Sequence, residues 1–224
     1  MPRAHEPLVP SMSGQPLHDE FATYPVTASE IKHHGLVWDV VRDAVDLGDG
    51  GQVNREYLRH PGAVGVLALD EQDRALMILQ YRHPVRMRLW ELPAGLLDDP
   101  TETPLQTAGR ELAEEVDLHA AEWHVLLDWF NSPGGMDEAI RVYLARGLTP
   151  VPEGERHARH AEELDMPTRW VRLDEARDAV LAGRLHNPTA VAGILAACGA
   201  RDRGWTTLRP ADAPWPEHPS ARPG

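Results

Sequence analysis

The fold of this chain is decided by residues 91–118, which read ELPAGLLDDPTETPLQTAGRELAEEVDL. The segment gathers acidic side chains around one arginine, Arg110, and three of its glutamates fall at positions 111, 114 and 115. Like charges four positions apart on a helix destabilise it by roughly 0.2–0.5 kcal/mol per pair. Clustered carboxylate oxygens suit a hard divalent cation. The cluster is therefore either a metal-binding surface or an acidic helix face in solvent.

Local signals in the second half of this segment predict an amphipathic helix. Thr103 is a favourable N-cap, Pro104 suits the first helical position, and Gln106 completes a capping box. Apolar residues then recur at the helical period, which predicts one buried face formed by Leu105, Ala108, Leu112 and Val116. At about 100° per residue, the glutamates fall beside that face, at the edge of the buried surface.

The same segment resembles the Nudix box, G-x5-E-x7-R-E-U-x-E-E-x-G-U, in which U is a bulky aliphatic residue. The positions of the motif are filled by Gly95, Glu102, Arg110, Glu111, Leu112, Glu114, Glu115 and Leu118. Two features depart from it: six residues separate Gly95 from Glu102, and Asp117 replaces the late glycine. Loop insertions cost little, and Asp tolerates a left-handed conformation better than most residues. Neither departure removes a carboxylate.

The sequence on both sides of the box is similar to that of bacterial ADP-ribose pyrophosphatases of the Nudix family. The similar stretches are 80–84, 89–95, 132–134, 141–145 and 160–166. This resemblance implies hydrolysis of the pyrophosphate bond of ADP-ribose to AMP and ribose 5-phosphate. It implies Mg²⁺ as the cofactor, with Mn²⁺ as an alternative.

The resemblance also implies roles for individual residues. The expected metal ligands are Ala94, through its carbonyl oxygen, Glu111, Glu114 and Glu115. The residues expected to act in catalysis are Glu162, Glu163, Glu114 and Arg110. Of the two loop glutamates, Glu162 matches the water-activating position by ungapped comparison and Glu163 is next to it. A solvated acidic loop is the alternative reading of this region.

A third group of residues is expected to contact the substrate, and it consists of Arg55, Arg59, Arg82, Glu91 and Glu138. In the family, arginines and an aromatic residue from the N-terminal region often hold the adenosine half, sometimes from the partner subunit. Ordinary strand charges on an exposed face are the alternative reading of Arg55 and Arg59. Because a partner subunit can supply these residues in the family, the resemblance also implies a homodimer.

Composition limits the possible partners. The net charge of −13 argues against a nucleic-acid-binding face. Cys198 is the only cysteine, which excludes an intrachain disulfide and a multi-cysteine zinc site. No stretch approaches the length of a transmembrane span, and the N-terminus lacks an apolar signal core. We therefore expect a cytoplasmic protein whose partner is a small molecule linked to a nucleoside diphosphate, without membrane or nucleic acid.

The chain divides into four predicted segments: a disordered arm (1–20), a β extension (21–60), a Nudix domain (61–200) and a disordered tail (201–224). Within the extension, strands at 36–46 and 53–59 flank a Gly-Asp-Gly-Gly hairpin signal. The tail is rich in proline and small polar residues, which is typical of disorder. Together with the resemblance, this pattern predicts an α+β fold, a Nudix-type α/β/α sandwich with a mixed sheet.

Two classes of function remain open from the sequence. The first is a pyrophosphatase, acting on ADP-ribose or on another nucleoside diphosphate sugar or a dinucleotide. The second is a non-catalytic Nudix module that senses a nucleotide. The intact REUxEE core argues against the second class, because a pure binder has no need to retain like-charged glutamates.

Overall fold

The computed structural model describes residues 16–158 and 166–221. Within them, the strands are β1 (Val26–His34), β2 (Asp39–Asp46), β3 (Gln52–Arg59), β4 (Ala63–Ala68), β5 (Arg74–Arg82), β6 (Met87–Glu91), β7 (Ala94–Leu96), β8 (Leu118–Phe130), β9 (Ala139–Pro150), β10 (Thr168–Arg172) and β11 (Arg209–Pro210). The α-helices are α1 (Pro104–Val116), α2 (Leu173–Leu181) and α3 (Pro188–Asp202). No helix in these two ranges has the length and apolar character needed to cross a membrane.

A mixed five-stranded sheet forms the centre of the molecule, in the order β11-β8-β9-β4-β7. Strands β4 and β9 run parallel, and the other pairs are antiparallel. Side chains alternate between the two faces of a strand. Val64 and Val66 of β4 therefore pack in one core with α1, whereas Leu67 packs in the other core with α2 and α3. The predicted α/β/α sandwich with a mixed sheet is confirmed.

A second sheet, β10-β5-β6, packs beside this sandwich. Its central strand β5 contributes Met77 to the core of α2 and α3 and Leu76 to the core of α1. The short strands β6 and β7 were not predicted as strands. They lie on either side of Pro93, and they bring the start of the box loop next to β4 and β5.

The N-terminal β extension is a third sheet, β1-β2-β3, and all its pairings are antiparallel. The predicted hairpin between β2 and β3 is present, with a short 3-10 turn at Gly48–Gly50. The sheet joins the sandwich through Leu58, whose amide donates to the Gly135 carbonyl (3.0 Å) and whose carbonyl accepts from the Asp137 amide (3.1 Å). Strand β1 was missed because it lacks alternating apolar residues and is exposed along its length.

The two predicted disordered segments differ in outcome. Most of the predicted arm lies outside the described residues, and its residues 16–20 have no regular secondary structure. The expectation of disorder is wrong for residues 201–221, where the structure has a packed segment. Arg209–Pro210 pairs with β8, and Arg141 donates to the carbonyls of Ala213 (2.8 Å) and Pro214 (3.3 Å). Contacts to distant residues hold this proline-rich segment, and composition does not reveal such contacts.

Candidate active site

The box helix α1 begins and ends as the sequence predicts. Thr103 caps the helix by accepting from the Gln106 amide (3.3 Å), and the Gln106 side chain accepts from the Thr103 amide (2.8 Å). Pro104 occupies the first turn. The helix ends at Val116, and the residue that caps it, Asp117, has a left-handed backbone with φ 57°. Asp117 thus takes the conformation that the late glycine of the motif would provide without strain.

Two glutamates of α1 meet the strand β7 at adjacent positions. Glu115 is only 7% exposed, and its carboxylate accepts a hydrogen bond from the Ala94 amide at 3.0 Å. A Cβ atom at Gly95 would lie 2.1 Å from Glu111 Oε1, far closer than real Cβ contacts allow. Glycine at position 95 therefore creates the space that the Glu111 carboxylate fills. The two carboxylates converge on the main chain of residues 94–95.

Arg110 binds three of the glutamates of the box. Its Nε donates to the two oxygens of Glu102 (3.1 and 3.2 Å), and its Nη1 donates to Glu111 (2.8 Å) and Glu114 (3.0 Å). The hydrogen bond to Glu102 is the main cause that raises the pKa of the Arg110 guanidinium, against its partial burial. The same bond lowers the pKa of the Glu102 carboxyl. One cation thus compensates three carboxylates that would otherwise repel each other.

Thr107 is a member of this network that the sequence analysis missed. Its hydroxyl, on a buried residue, donates to Glu102 Oε2 at 3.0 Å. Glu102 is thus held from two sides, by Thr107 and by Arg110. The available signal was the helical spacing, because Thr107 lies one turn after the N-cap and three positions before Arg110.

Arg82 and Glu91 form an ion pair at the edge of the box loop. The guanidinium donates to both carboxylate oxygens of Glu91, at 3.0 and 2.7 Å. Glu91 is 2% exposed, whereas the Arg82 side chain is 44% exposed. The pairing of β5 with β6 brings the two residues together. The buried Glu91 carboxylate therefore holds the partly exposed Arg82 guanidinium in one orientation.

The other predicted substrate residues lie in the N-terminal sheet and beside it. Arg55 is exposed on β3, and its described hydrogen bond goes to the Asn54 carbonyl at 3.2 Å. Arg59 donates to Asp39 at 2.7 Å. Glu138 accepts from the Asn131 amide group at 2.7 Å and has His60 Nδ1 3.7 Å away. The described contacts link none of the three to the box glutamates.

The predicted water-activating residues, Glu162 and Glu163, lie outside the described residues. The described chain on either side ends at residue 158 and resumes at residue 166, shortly before β10. Their assignment from the sequence stays a prediction.

The donor set of the box suits a divalent cation by its chemistry. Two carboxylates, Glu111 and Glu115, face one stretch of main chain, and oxygen donors of this kind are those that Mg²⁺ and Mn²⁺ prefer. In residues 16–158 and 166–221, no three His, Cys, Asp or Glu side chains are already grouped closely enough to hold an ion. Arg110 instead neutralises Glu111 and Glu114. The residues present fit the cation as donors, with Arg110 competing for two of them.

Comparison with known proteins agrees with this geometry. The NUDIX domain family matches residues 59–191. The chain is 44% identical over 198 residues to an ADP-ribose pyrophosphatase of Mycobacterium tuberculosis, covering 88% of this chain and 94% of that protein. It is 35% identical over 160 residues to a methanol dehydrogenase activator of Bacillus methanolicus, covering 71% of this chain and 84% of the relative. A crystal structure described as an ADP compounds hydrolase superposes with a TM-score of 0.67 at 19% identity, covering 84% of this chain and 99% of the other.

The chain therefore belongs to the Nudix family, as the box indicated. The match to the NUDIX domain spans β4 to the first turn of α3 and contains the whole carboxylate cluster. The structural likeness to the ADP compounds hydrolase agrees with the fold. ADP-ribose pyrophosphatases of this family generally depend on a divalent metal ion.

Proposed function

We propose that this protein hydrolyses the pyrophosphate bond of ADP-ribose in a metal-dependent reaction that yields AMP and ribose 5-phosphate. The observation that carries the proposal is the convergence of Glu111 and Glu115 on residues 94–95, braced by Arg110. The 44% identity to the mycobacterial ADP-ribose pyrophosphatase over most of both chains supports this choice of substrate. One water molecule is consumed for each bond cleaved.

The cofactor that we propose is Mg²⁺, with Mn²⁺ as the alternative. Glu111, Glu115 and the Ala94 carbonyl oxygen would hold it, and Glu114 would share or support one ion. A bound divalent ion supplies neutralisation of the phosphate charge and lowers the pKa of a coordinated water. Arg110 keeps the glutamates oriented, and Glu102 with Thr107 keeps Arg110 in place.

Arginines would bind the anionic substrate in a chain whose net charge is −13. We assign Arg82 to a phosphate oxygen, because Glu91 holds its guanidinium in one direction while the side chain stays half-exposed. Glu91 then positions Arg82 and does not touch the substrate itself. We assign water activation to Glu162, with Glu163 as the alternative.

Two other readings have specific support. The relatives include a methanol dehydrogenase activator, whose name describes an effect on another enzyme. They also include a hydrolase of a CMP-linked phosphonate in Streptomyces rubellomurinus, 36% identical over 155 residues. A different nucleoside diphosphate compound is thus the second candidate substrate, and a regulatory effect on another protein is the third candidate function.

A panel of compounds separates these candidates. We would measure kcat/KM with Mg²⁺ for ADP-ribose, ADP-glucose, UDP-glucose and a diadenosine diphosphate under one set of conditions. The proposal predicts the highest kcat/KM for ADP-ribose. A higher value for another compound would reassign the substrate, and no turnover of any compound with Mg²⁺ or Mn²⁺ would favour the regulatory reading.

We also propose a homodimer. Strand β1 is exposed along its whole length and presents Val26 and Ile31 to solvent, and a three-stranded sheet with an open face is marginal by itself. A second copy that covers this sheet would bring Arg55 toward the partner's substrate. Arg55→Ala should then raise KM more than it lowers kcat. Light scattering that shows a fully active monomer at micromolar concentration would contradict this assembly.

A further inference from the structure

A cavity of about 530 Å³ lies between the N-terminal sheet and the sandwich, and its lining includes none of the box glutamates. Its walls come from three parts of the chain: the turn at residues 35–39, residues 59–61 with Asp137, and residues 218–220. This volume is within the range of small-molecule sites. The cavity adjoins the box loop through Gly62, whose carbonyl accepts from the Leu97 amide at 3.0 Å.

The side chains of the first two walls suit a nucleoside. Trp38 is 40% exposed and offers an aromatic face on which a base can stack. Arg59 supplies a guanidinium, held by Asp39 at 2.7 Å. Asp137, which accepts from the His60 amide at 2.8 Å, adds a carboxylate that can accept hydrogen bonds from the amino group of a base or from ribose hydroxyls. Stacking and hydrogen bonding can therefore act on one ligand.

The third wall is brought in by the C-terminal strap, which we define as residues 209–221. His218 is 9% exposed and packs on Gly62 so closely that a Cβ there would lie 2.5 Å from its Nε2. Gly62 also has a left-handed backbone, with φ 91°. Ser220 Oγ lies 2.7 Å from His218 Nδ1. The close approach of strap and sandwich at this point thus depends on a glycine.

A buried arginine anchors the strap. Arg141 donates to both oxygens of Asp128 (2.8 and 3.0 Å) and to the carbonyls of Ala213 (2.8 Å) and Pro214 (3.3 Å). Its guanidinium also lies over the Trp215 ring, 4.6 Å from the centroid. Charged hydrogen bonds of this kind are stronger than neutral ones, and a buried charge is costly to leave unpaired. The Trp215 ring in turn stacks near His218, with centroids 4.7 Å apart.

We propose that the C-terminal strap closes one side of a nucleoside pocket and sets the affinity for the adenosine half of the substrate. This inference rests on the proposed function, because it assigns one half of that substrate to this cavity. Arg141 and Trp215 act as positioning residues, since they hold His218 and Ser220 at the wall without lining the cavity themselves. The ribose 5-phosphate half would lie outside the strap.

Calorimetry with two products tests the strap directly. We would titrate AMP and, separately, ribose 5-phosphate into the unmodified protein and into Trp215→Ala. The strap predicts that Trp215→Ala binds AMP on the order of tenfold more weakly, equal to about 1.4 kcal/mol, with ribose 5-phosphate binding unchanged. For ADP-ribose hydrolysis, KM should rise with kcat nearly constant.

Two further variants make the result interpretable. Trp205→Ala is the matched control, because Trp205 also stacks on an arginine, Arg146 at 4.0 Å, but does not line this cavity. It should bind AMP like the unmodified protein. Ser220→Leu fills the cavity while leaving the Arg141 anchor intact, so it should also weaken AMP binding. This variant tests the proposal even if Trp215→Ala fails to fold.

The outcomes separate the strap from the proposed function. Unchanged AMP binding by a folded Trp215→Ala and by Ser220→Leu would overturn the proposed role of the strap. Failure of the unmodified protein to bind AMP would overturn it as well. Strap-dependent AMP binding in a protein that cannot hydrolyse ADP-ribose would support the strap and refute the proposed function.

Discussion

Replacing Gly95 with alanine places a methyl group where the Glu111 side chain now lies. The new Cβ would be 2.1 Å from Oε1, 2.2 Å from Cδ and 2.3 Å from Cγ of Glu111. Contacts below 3.0 Å do not occur for real Cβ atoms, so the carboxylate must move by about 0.9 Å or more. A displacement of about 1 Å in a catalytic group can cost on the order of 100-fold in rate. We therefore expect Gly95→Ala to lose about 100-fold in kcat.

The matched control is Gly109→Ala, in the helix that carries the glutamates. A Cβ at Gly109 meets nothing within 4 Å, so the substitution removes only a flexible residue from a helix interior. It should stabilise the protein by roughly 0.5–1 kcal/mol and leave kcat unchanged. Both variants are compared by steady-state hydrolysis of ADP-ribose over a range of Mg²⁺ concentrations and by thermal unfolding. A folded Gly95→Ala with near-normal kcat would refute the placement of Glu111 in the active site.

Three further substitutions test other parts of the site. Glu115→Gln should fold normally and lose on the order of 100-fold in turnover at saturating Mg²⁺; near-normal turnover would rule out Glu115 as a ligand. Glu162→Gln should lower kcat with little change in KM or metal affinity, and the same pattern in Glu163→Gln with a silent Glu162→Gln would move the role by one residue. Since Arg110 lowers the pKa of Glu102 below 4.5, this carboxyl stabilises the fold above that pH and loses its contribution as the pH falls through the lowered pKa. Urea unfolding should therefore show a stability gap between the unmodified protein and Glu102→Gln at pH 7 that shrinks below pH 4.5; a gap independent of pH would contradict the ion pair.

The box could be read from the sequence because its determinants are local. The N-cap Thr103 and the apolar face of α1 are separated by a few residues, and their geometry follows from helical spacing alone. The left-handed Asp117 was foreseen for the same reason, since a motif position that normally holds glycine demands that conformation. The role of Gly95 could not be predicted from the sequence, because its need for space appears only once the fold brings Glu111 beside it.

The C-terminal segment could not be read in this way. Its proline-rich composition is typical of disorder, yet Arg141 holds carbonyls that lie 72 and 73 positions later in the chain. The arginine stands in a buried strand of otherwise mostly apolar residues, which was the one available signal that a distant partner must satisfy it. In a similar way, the pair of Arg82 with buried Glu91 depends on the pairing of β5 with β6 and is not evident from spacing.

The most direct test of the central claim is product analysis of ADP-ribose incubated with the purified protein. Chromatography would follow the reaction with Mg²⁺ present and, in parallel, with a chelator in excess. Convergence of Glu111 and Glu115 at residues 94–95 predicts that AMP and ribose 5-phosphate form in equal amounts with Mg²⁺ and that neither forms with the chelator. Intact ADP-ribose under both conditions, or equal hydrolysis with the chelator, would contradict the account.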